Sequence, residues 1–279
     1  MKIALILQGG GARGIYTSAI LDMFLTDKIH IDKIYAVSAG ALNALNYLSN
    51  QKGRSKKAFK YTFKLKEFAS FKNIIKKKTF VDFDYYFNEV PKTIPFDFET
   101  YTNSPIDLTV VATCIETGKP AYFNKSEFKD FIDCVKASSS LPMVSKPVEI
   151  NFLHYQDGGD SDPLPFKKAI QEGYDRIIVI TTRKLSYRKK TTHNKERMLT
   201  YKLFYKNYPR YMKALKISHQ NYNKEFSFLM KEKNVFIIEP SESIKLKHLD
   251  KNDEKIDYYY NLGLKDYEKN KEKLRNYLS

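Results

Sequence analysis

Cysteine is scarce in this 279-residue chain: Cys114 and Cys134 are its only two. Two thiols make no disulfide framework for a domain of this length, and reduced intracellular thiols are the expectation. Metal-ligand spacing is missing too. The histidines His30, His154, His193, His219 and His248 are scattered, and no Cys/His cluster has zinc spacing. Lone histidines of this kind read as structural or solvated. Long apolar runs are also absent. No stretch approaches the roughly 20 residues of a membrane span. The five apolar residues Ile3 to Leu7 lead straight into glycines, which suits a buried strand better than a signal peptide. A cytoplasmic protein is expected, with any membrane contact peripheral. No internal repeat or low-complexity run occurs.

What is present is a sizeable apolar fraction, 42%, and a large positive charge, +16 with a pI near 9.5. Such a charge speaks of partners rather than fold, with anionic membrane and nucleic acid as the candidates. It is unevenly placed. Lys52–Lys78 holds 11 basic residues and one acidic, and Arg183–Lys233 holds 15 and three. Both segments interleave lysines with Phe, Tyr, Leu and Ile. Across Tyr201–Ile217, the residues Phe204, Tyr208, Tyr211, Met212 and Leu215 are expected to share one helical face, with Pro209 kinking or dividing the helix.

Short apolar runs alternate with helix-like segments. Ile3–Leu7, Ile34–Val37, Leu108–Cys114, Arg176–Ile180 and Val235–Ile238 read as strands. Gly14–Thr26 and a segment beginning Ala41–Leu48 read as helices. The alternation predicts an α/β fold with a mostly parallel central sheet. The change in composition near Arg183 suggests a catalytic domain over 1–182 and a basic, mainly helical extension over 183–279.

Three local patterns carry chemistry. Ile34 to Leu42 runs from strand to helix through Ser38, flanked by Ala36 and Gly40. This is a nucleophile-elbow pattern, A-x-S-x-G with alanine at the first small position, although a serine N-cap fits the same letters. Gln8-Gly9-Gly10-Gly11-Ala12-Arg13-Gly14 follows the first strand, and its backbone N–H groups can converge on an oxyanion or a phosphate. Gly9, Gly11 and Gly14 also spell the dinucleotide fingerprint. That motif wants an acidic residue at the end of the second strand, whereas Asp32 precedes the strand and Ser38 ends it. No Gly-Lys-[Ser/Thr] follows, so a P-loop is excluded. Third, Asp157 precedes Gly158 and Gly159. Alone this reads as a turn, but the stretch Ala137–Val148, ASSSLPMVSKPV, stands before it and can line a pocket.

In the order GGGARG, AVSAG, ASSSLPMVSKPV, DGG, the chain resembles the patatin-like phospholipases over roughly residues 1–182. The resemblance implies a three-layer α/β/α fold and acyl-ester hydrolysis by a Ser-Asp dyad. It implies Ser38 as nucleophile, Asp157 as base, and Gly9, Gly10, Gly11 and Arg13 as the oxyanion loop. No metal or organic cofactor is implied. A triad using His154 is the minor alternative. The expected partners are a lipid ester and an anionic membrane surface, with nucleic acid unlikely. The competing classes are a nucleotide or nucleic-acid binder and a catalytically silent lipid-binding relative.

Overall fold

The computed structural model describes residues 1–191 and 195–279; His193 lies outside the described residues. The described strands form one sheet. They are β1 (Ile3–Leu7), β2 (Lys33–Val37), β3 (Asp107–Cys114), β4 (Pro120–Asn124), β5 (Val148–Ile150), β6 (Leu153–Asp157), β7 (Arg176–Ile180) and β8 (Val235–Ile238). The α-helices of the first half are α1 (Gly14–Thr26), α2 (Ala39–Leu48), α3 (Arg54–Thr62), α4 (Phe71–Lys77), α5 (Phe83–Thr93), α6 (Phe98–Asn103) and α7 (Phe131–Ser139). Those that follow are α8 (Phe166–Gln171), α9 (Lys195–Tyr205), α10 (Pro209–Leu229) and α11 (Asp253–Leu278).

The sheet runs β5-β6-β3-β2-β1-β7-β8, with β4 also paired to β3. From β3 to β8 neighbours are parallel, while β4, β5 and β6 form an antiparallel end. The mostly parallel sheet expected from the apolar runs is therefore present. Strands covered on both faces need apolar residues at every position, and β1 shows why its sequence is unbroken. Ile3, Leu5 and Leu7 join one core cluster with α1, α2, α7 and α11. Ala4 and Ile6 join another with Phe166 of α8 and Tyr222, Phe226 and Leu229 of α10. Helices thus cover both faces in a three-layer arrangement. Each large side chain fully buried this way contributes roughly 1.5–3 kcal/mol.

The stretch after Arg183, expected as mainly helical, also supplies β8 to the sheet edge. Its last helix, α11, lies against α1. Tyr16 donates to Asp266 across that contact at 3.2 Å, and Phe24 meets Tyr267 edge to face with centroids 5.7 Å apart. Cys114 and Cys134 are both buried and unbridged.

The chain leaves β1 toward β2 on one side and leaves β7 toward β8 on the other. Such a reversal opens a crevice at the carboxyl ends of the two strands. The crevice is stitched by side chains. Gln8 accepts the Thr182 N–H at 2.7 Å, and the Thr182 hydroxyl donates to the Gly9 carbonyl at 2.7 Å. The glycine loop is therefore held where β1 ends.

Candidate functional site

Ser38 follows β2 and caps α2 with φ 55° and ψ −123°. An L-residue rarely adopts a positive φ, and such strain persists only where the surroundings over-determine it. Several contacts do so. The Ser38 N–H donates to Ser138 Oγ at 2.9 Å, and its carbonyl accepts the Ser139 hydroxyl at 3.3 Å and the Ala41 N–H at 2.8 Å. Gly40 is demanded by packing, since a Cβ there would lie 2.4 Å from the Leu7 carbonyl oxygen. Ala36 is fully buried in β2 between Leu7 of β1 and Val110 of β3, so its methyl is accommodated within the sheet.

Register brings the acid to the serine. Val37 pairs with Val111, and the next residue of β3, Ala112, pairs with Asp157. Ser38 and Asp157 thus lie at one level on strands flanking β3. The Ser38 hydroxyl donates to Asp157 Oδ2 at 2.6 Å, and Asp157 Oδ1 accepts the Gly159 N–H at 2.8 Å. The Asp157 backbone N–H donates to the Ser140 carbonyl at 2.9 Å. A Cβ at Gly158 would lie 2.1 Å from the Val111 carbonyl oxygen, which explains the first glycine after the acid. Asp157 is 4% exposed. Burial, then the neighbouring Asp160, pushes its carboxyl up to about 7 against the hydrogen bonds from Ser38 and Gly159.

The stretch Ala137–Val148 is therefore a clamp on both residues. Ser138 and Ser139 hold the Ser38 backbone and Ser140 holds that of Asp157.

The glycine loop faces the serine. A Cβ on Gly9 would lie 2.8 Å from Ser38 Cβ. Beyond it, Gly11–Arg13 form a 3-10 turn leading into α1. The Ala12 N–H donates to the His248 carbonyl at 2.9 Å and the Arg13 N–H to the Gly10 carbonyl at 3.3 Å. No acceptor for the N–H groups of Gly9, Gly10 or Gly11 is found among the described residues. The Arg13 side chain makes no hydrogen bond to Ser38 or Asp157 among the described residues. It is buried, donates to the Leu246 carbonyl at 3.0 Å and lies 3.3 Å from His248 Nε2. Burial, then Arg183, holds its guanidinium down at about 10. Arg13 thus ties the Leu246–His248 strap over the loop.

Two clefts meet at Ser38. One, of about 790 Å³, is lined by Leu42, Phe59, Phe63, Phe68, Phe83 and Val144. Its rings pack on one another, with Phe59 and Phe63 stacked at 4.1 Å. The other, of about 1190 Å³, holds the glycine loop, Asp157, Asp160 and the basic run Arg183–Lys190. Gly11, Ser38, Leu141 and His248 line both. His248 is a site residue that its sequence context did not signal, because strap and loop are joined only by tertiary contacts.

The other expectations resolve as follows. His154 sits on β6, bonded through Nδ1 to Glu116 at 2.9 Å, and no hydrogen bond joins it to Ser38 or Asp157 among the described residues. Asp32 accepts the Ile3 N–H at 2.6 Å, at the opposite end of the strands from the glycine loop, so it cannot serve as a ribose binder there. Pro209 divides the basic segment by opening α10 as its first residue. The shared apolar face forms except at Phe204: Tyr211 and Leu215 are buried with Tyr201 and Tyr205, and Tyr208 and Met212 pack against them, whereas Phe204 is 63% exposed. Part of the other basic segment is neutralised, with Lys56 and Lys60 paired to Asp257 at 2.8 and 2.6 Å. Among the described residues, no His, Cys, Asp and Glu group is arranged to hold a metal, and no helix is long and apolar enough to cross a membrane.

Known proteins bear on this site. Residues 208–279 match the model of a domain of unknown function, DUF6363. The uncharacterized protein YjjU of Escherichia coli (strain K12) is 30% identical over 187 residues, covering 65% of this chain and 52% of its own. The chain thus spans about half the length of that curated relative. The crystal structure of VipD from Legionella pneumophila aligns with 96% of this chain and 66% of its own, at 14% identity and a TM-score of 0.47. The model described as patatin-like phospholipase matches residues 5–170, more than half of the chain, and takes in the glycine loop, Ser38, the serine clamp and Asp157. The chain belongs to the patatin-like phospholipase family.

Proposed function

We propose that this protein hydrolyses acyl esters of lipids, with Ser38 as the nucleophile and Asp157 as its base. The observation that carries this reading is the 2.6 Å hydrogen bond from Ser38 Oγ to Asp157 Oδ2, placed where an aromatic cleft meets a glycine loop with unused N–H groups. A serine hydroxyl needs an adjacent base to attack a carbonyl. A carboxyl raised to about 7 by burial is a stronger base than an exposed aspartate and remains ionised above that pH.

In the first half-reaction Ser38 Oγ bonds to the ester carbonyl carbon as its proton passes to Asp157. The N–H groups of Gly9, Gly10 and Gly11 meet the resulting oxyanion, where one such donor is typically worth about 2.7–4 kcal/mol. The amino end of α2, directly behind Ser38, adds favourable field. Collapse expels the alcohol, which takes the proton from Asp157. Water then attacks the acyl-serine with Asp157 again accepting its proton, and Asp157 returns that proton to Ser38 Oγ as the acyl–Oγ bond breaks and the fatty acid leaves. The aromatic cleft suits the acyl chain, each buried methylene contributing about 0.8 kcal/mol. Arg13 acts here as a positioning residue for the strap.

Peripheral docking on a bilayer completes the reading, for a lipid ester must be reached at a surface. Phe71 and Ile75 of α4 are 78% and 85% exposed, Leu203 of α9 is 70% exposed, and Phe152 at the β5–β6 turn is 92% exposed. The chain just after α4, the end of α9 and strand β6 are each bonded to the loop Met143–Ser145, whose Val144 and Ser145 line the aromatic cleft. The Phe80 and Val81 N–H groups donate to the Val144 carbonyl, the Met143 N–H to Tyr205 Oη, and Gln156 to the Ser145 carbonyl. Exposed Lys72, Lys76 and Lys202 surround the apolar tips, which suits anionic lipid.

A panel of phospholipids, lysophospholipids and p-nitrophenyl esters, run on wild type beside Ser38→Ala, tests the activity. Hydrolysis by wild type that is abolished in a folded Ser38→Ala supports the reading; equal turnover by both refutes the nucleophile.

A further inference from the structure

The aromatic cleft takes its direction from α2. Ala39, Leu42, Asn43 and Asn46 line it, and residues spaced i, i+3, i+4 and i+7 share one helical face. That face starts beside Ser38 and runs about 10 Å to Asn46, at 1.5 Å per residue. An acyl group on Ser38 Oγ has it as one wall for two turns.

A second apolar cavity, of about 360 Å³, lies beyond the far end and is lined by Leu45, Val90, Phe96 and Ile132. Leu42, Asn46 and Tyr86 line both spaces. Leu42 stands one turn before Asn46, so Asn46 and Tyr86 make the end wall.

This wall is polar and tied down. Arg54, buried on the far side, donates to Asn46 Oδ1 and to the Ile94 and Pro95 carbonyls, the last two at 2.8 Å. Its guanidinium lies 4.8 Å from the centre of the Phe96 ring. Arg54 lines the second cavity and not the first. The Tyr86 ring packs on Phe68 and Phe87 with centroids 6.1 and 4.9 Å apart. Burial pushes its phenol up against the pull of the Arg54 guanidinium, so the two groups sit together. A methyl terminus forced past this point would part buried hydrogen-bonding groups and leave them unsatisfied, which is costly.

We propose that Tyr86 sets the acyl-chain length of the substrate: it closes the cleft about 10 Å from Ser38 and keeps the chain out of the cavity behind it. A fully extended chain advances about 1.2 Å per bond, so about eight carbons fill that length. The proposal rests on the hydrolase reading and narrows its substrate class to esters of medium-length acyl groups.

The test is a series of saturated p-nitrophenyl esters from butyrate to dodecanoate, each below its critical micelle concentration. In wild type kcat/KM rises about fourfold per added methylene and stops rising near octanoate. In Tyr86→Ala the rise continues for at least two more carbons. Tyr86→Leu, which keeps apolar contact with Phe68 and Phe87, is the second variant should the first fail its thermal melt, and it moves the break in the same direction. A parallel arm measures equilibrium binding of the matching fatty acids to Ser38→Ala, with and without the change at Tyr86. The same break in affinity, moved by the same substitution, supports the stop even if wild type hydrolyses no ester, in which case the hydrolase reading alone fails. With Tyr86 in place, a rise that continues through dodecanoate or no dependence on chain length would overturn the proposal, as would a break that stays in place in a folded Tyr86 variant.

Discussion

Gly9 faces the Ser38 side chain with no room to spare: a Cβ on Gly9 would stand 2.8 Å from the Cβ of Ser38 and 3.1 Å from the Val37 carbonyl oxygen. The end of β1 and the turn after β2 are therefore pressed together by the absence of one methyl. Gly9→Ala is predicted to push the serine off its bond with Asp157. Ester turnover should fall at least about tenfold, while stability drops by about 1–3 kcal/mol, the usual cost of overpacking. Steady-state rates beside a urea melt check this; unchanged turnover would show that the serine has room to spare.

The neighbouring glycines should separate. A Cβ on Gly10 meets the end of the Thr182 side chain at 2.6 Å, whereas one on Gly11 meets the His248 carbonyl oxygen at 2.6 Å with φ at +56°. The Thr182 hydroxyl can rotate only by giving up its bond to the Gly9 carbonyl, and the His248 backbone cannot yield at all. Gly10→Ala is therefore expected to lose turnover with a smaller loss of stability than Gly11→Ala, which displaces the strap. Thermal melts and rates on the two variants decide it. Equal stability losses would mean that Thr182 is as fixed as the strap.

Asp157 gives a stability prediction of opposite sign to its catalytic one. Its carboxyl is raised from 3.8 to about 7 in the folded protein, so the folded state holds the proton more tightly than the unfolded chain. Stability contributed by this group is present at low pH and declines as pH rises from about 4 through 7. At full extent the loss is up to about 4 kcal/mol. Asp157→Asn keeps the shape and removes the charge. The variant should melt higher than wild type at pH 8, with the difference shrinking by pH 5. A difference that does not depend on pH would contradict the raised carboxyl.

The docking face predicts a separation of binding from chemistry. Phe71→Ala with Ile75→Ala should lower co-sedimentation with anionic vesicles several-fold, while hydrolysis of a monomeric p-nitrophenyl ester stays near wild type. High salt should weaken what binding remains, since exposed lysines act through a screened field. Binding that ignores lipid charge and salt, or tight DNA or RNA binding with none to vesicles, would point to another partner.

The parts of the fold legible in the sequence are those whose cause is local. β1, β7, β8 and α1 fall where their apolar runs place them; for β1 and β7 this is because strands covered on both faces leave no other pattern. α2 begins at Ala39, two residues earlier than its apolar spacing, because the strained Ser38 is itself its cap. β4 opens with Pro120 and is half-buried, so it carries neither a continuous nor an alternating pattern. The run Val148–Tyr155 is split into β5 and β6 by a turn in which Asn151 and Phe152 both have positive φ, with no glycine to mark it. At the site, Ser38, Gly40 and Gly158 are legible because they stand in short motifs, although the two glycines answer close approaches of Leu7 and Val111 far along the chain. Ser138, Thr182 and His248 are not, since their roles come from contacts with residues far along the chain. Arg13 was legible as a member of the loop, but the direction of its side chain depends on Leu246 and His248.

The central claim is that Asp157, acting directly and without a histidine, activates Ser38. Its most direct measurement is the rate of labelling by a fluorophosphonate probe as a function of pH, with the modified residue identified by peptide mapping. Wild type should be labelled at Ser38, at a rate that rises with pH through about 7 as the Asp157 carboxyl ionises, and His154→Ala should follow the same curve. Asp157→Asn, folded by its thermal melt, should label far more slowly and without that inflection. Labelling of Asp157→Asn at the wild-type rate, or a His154→Ala variant as inert as Ser38→Ala, would contradict the account.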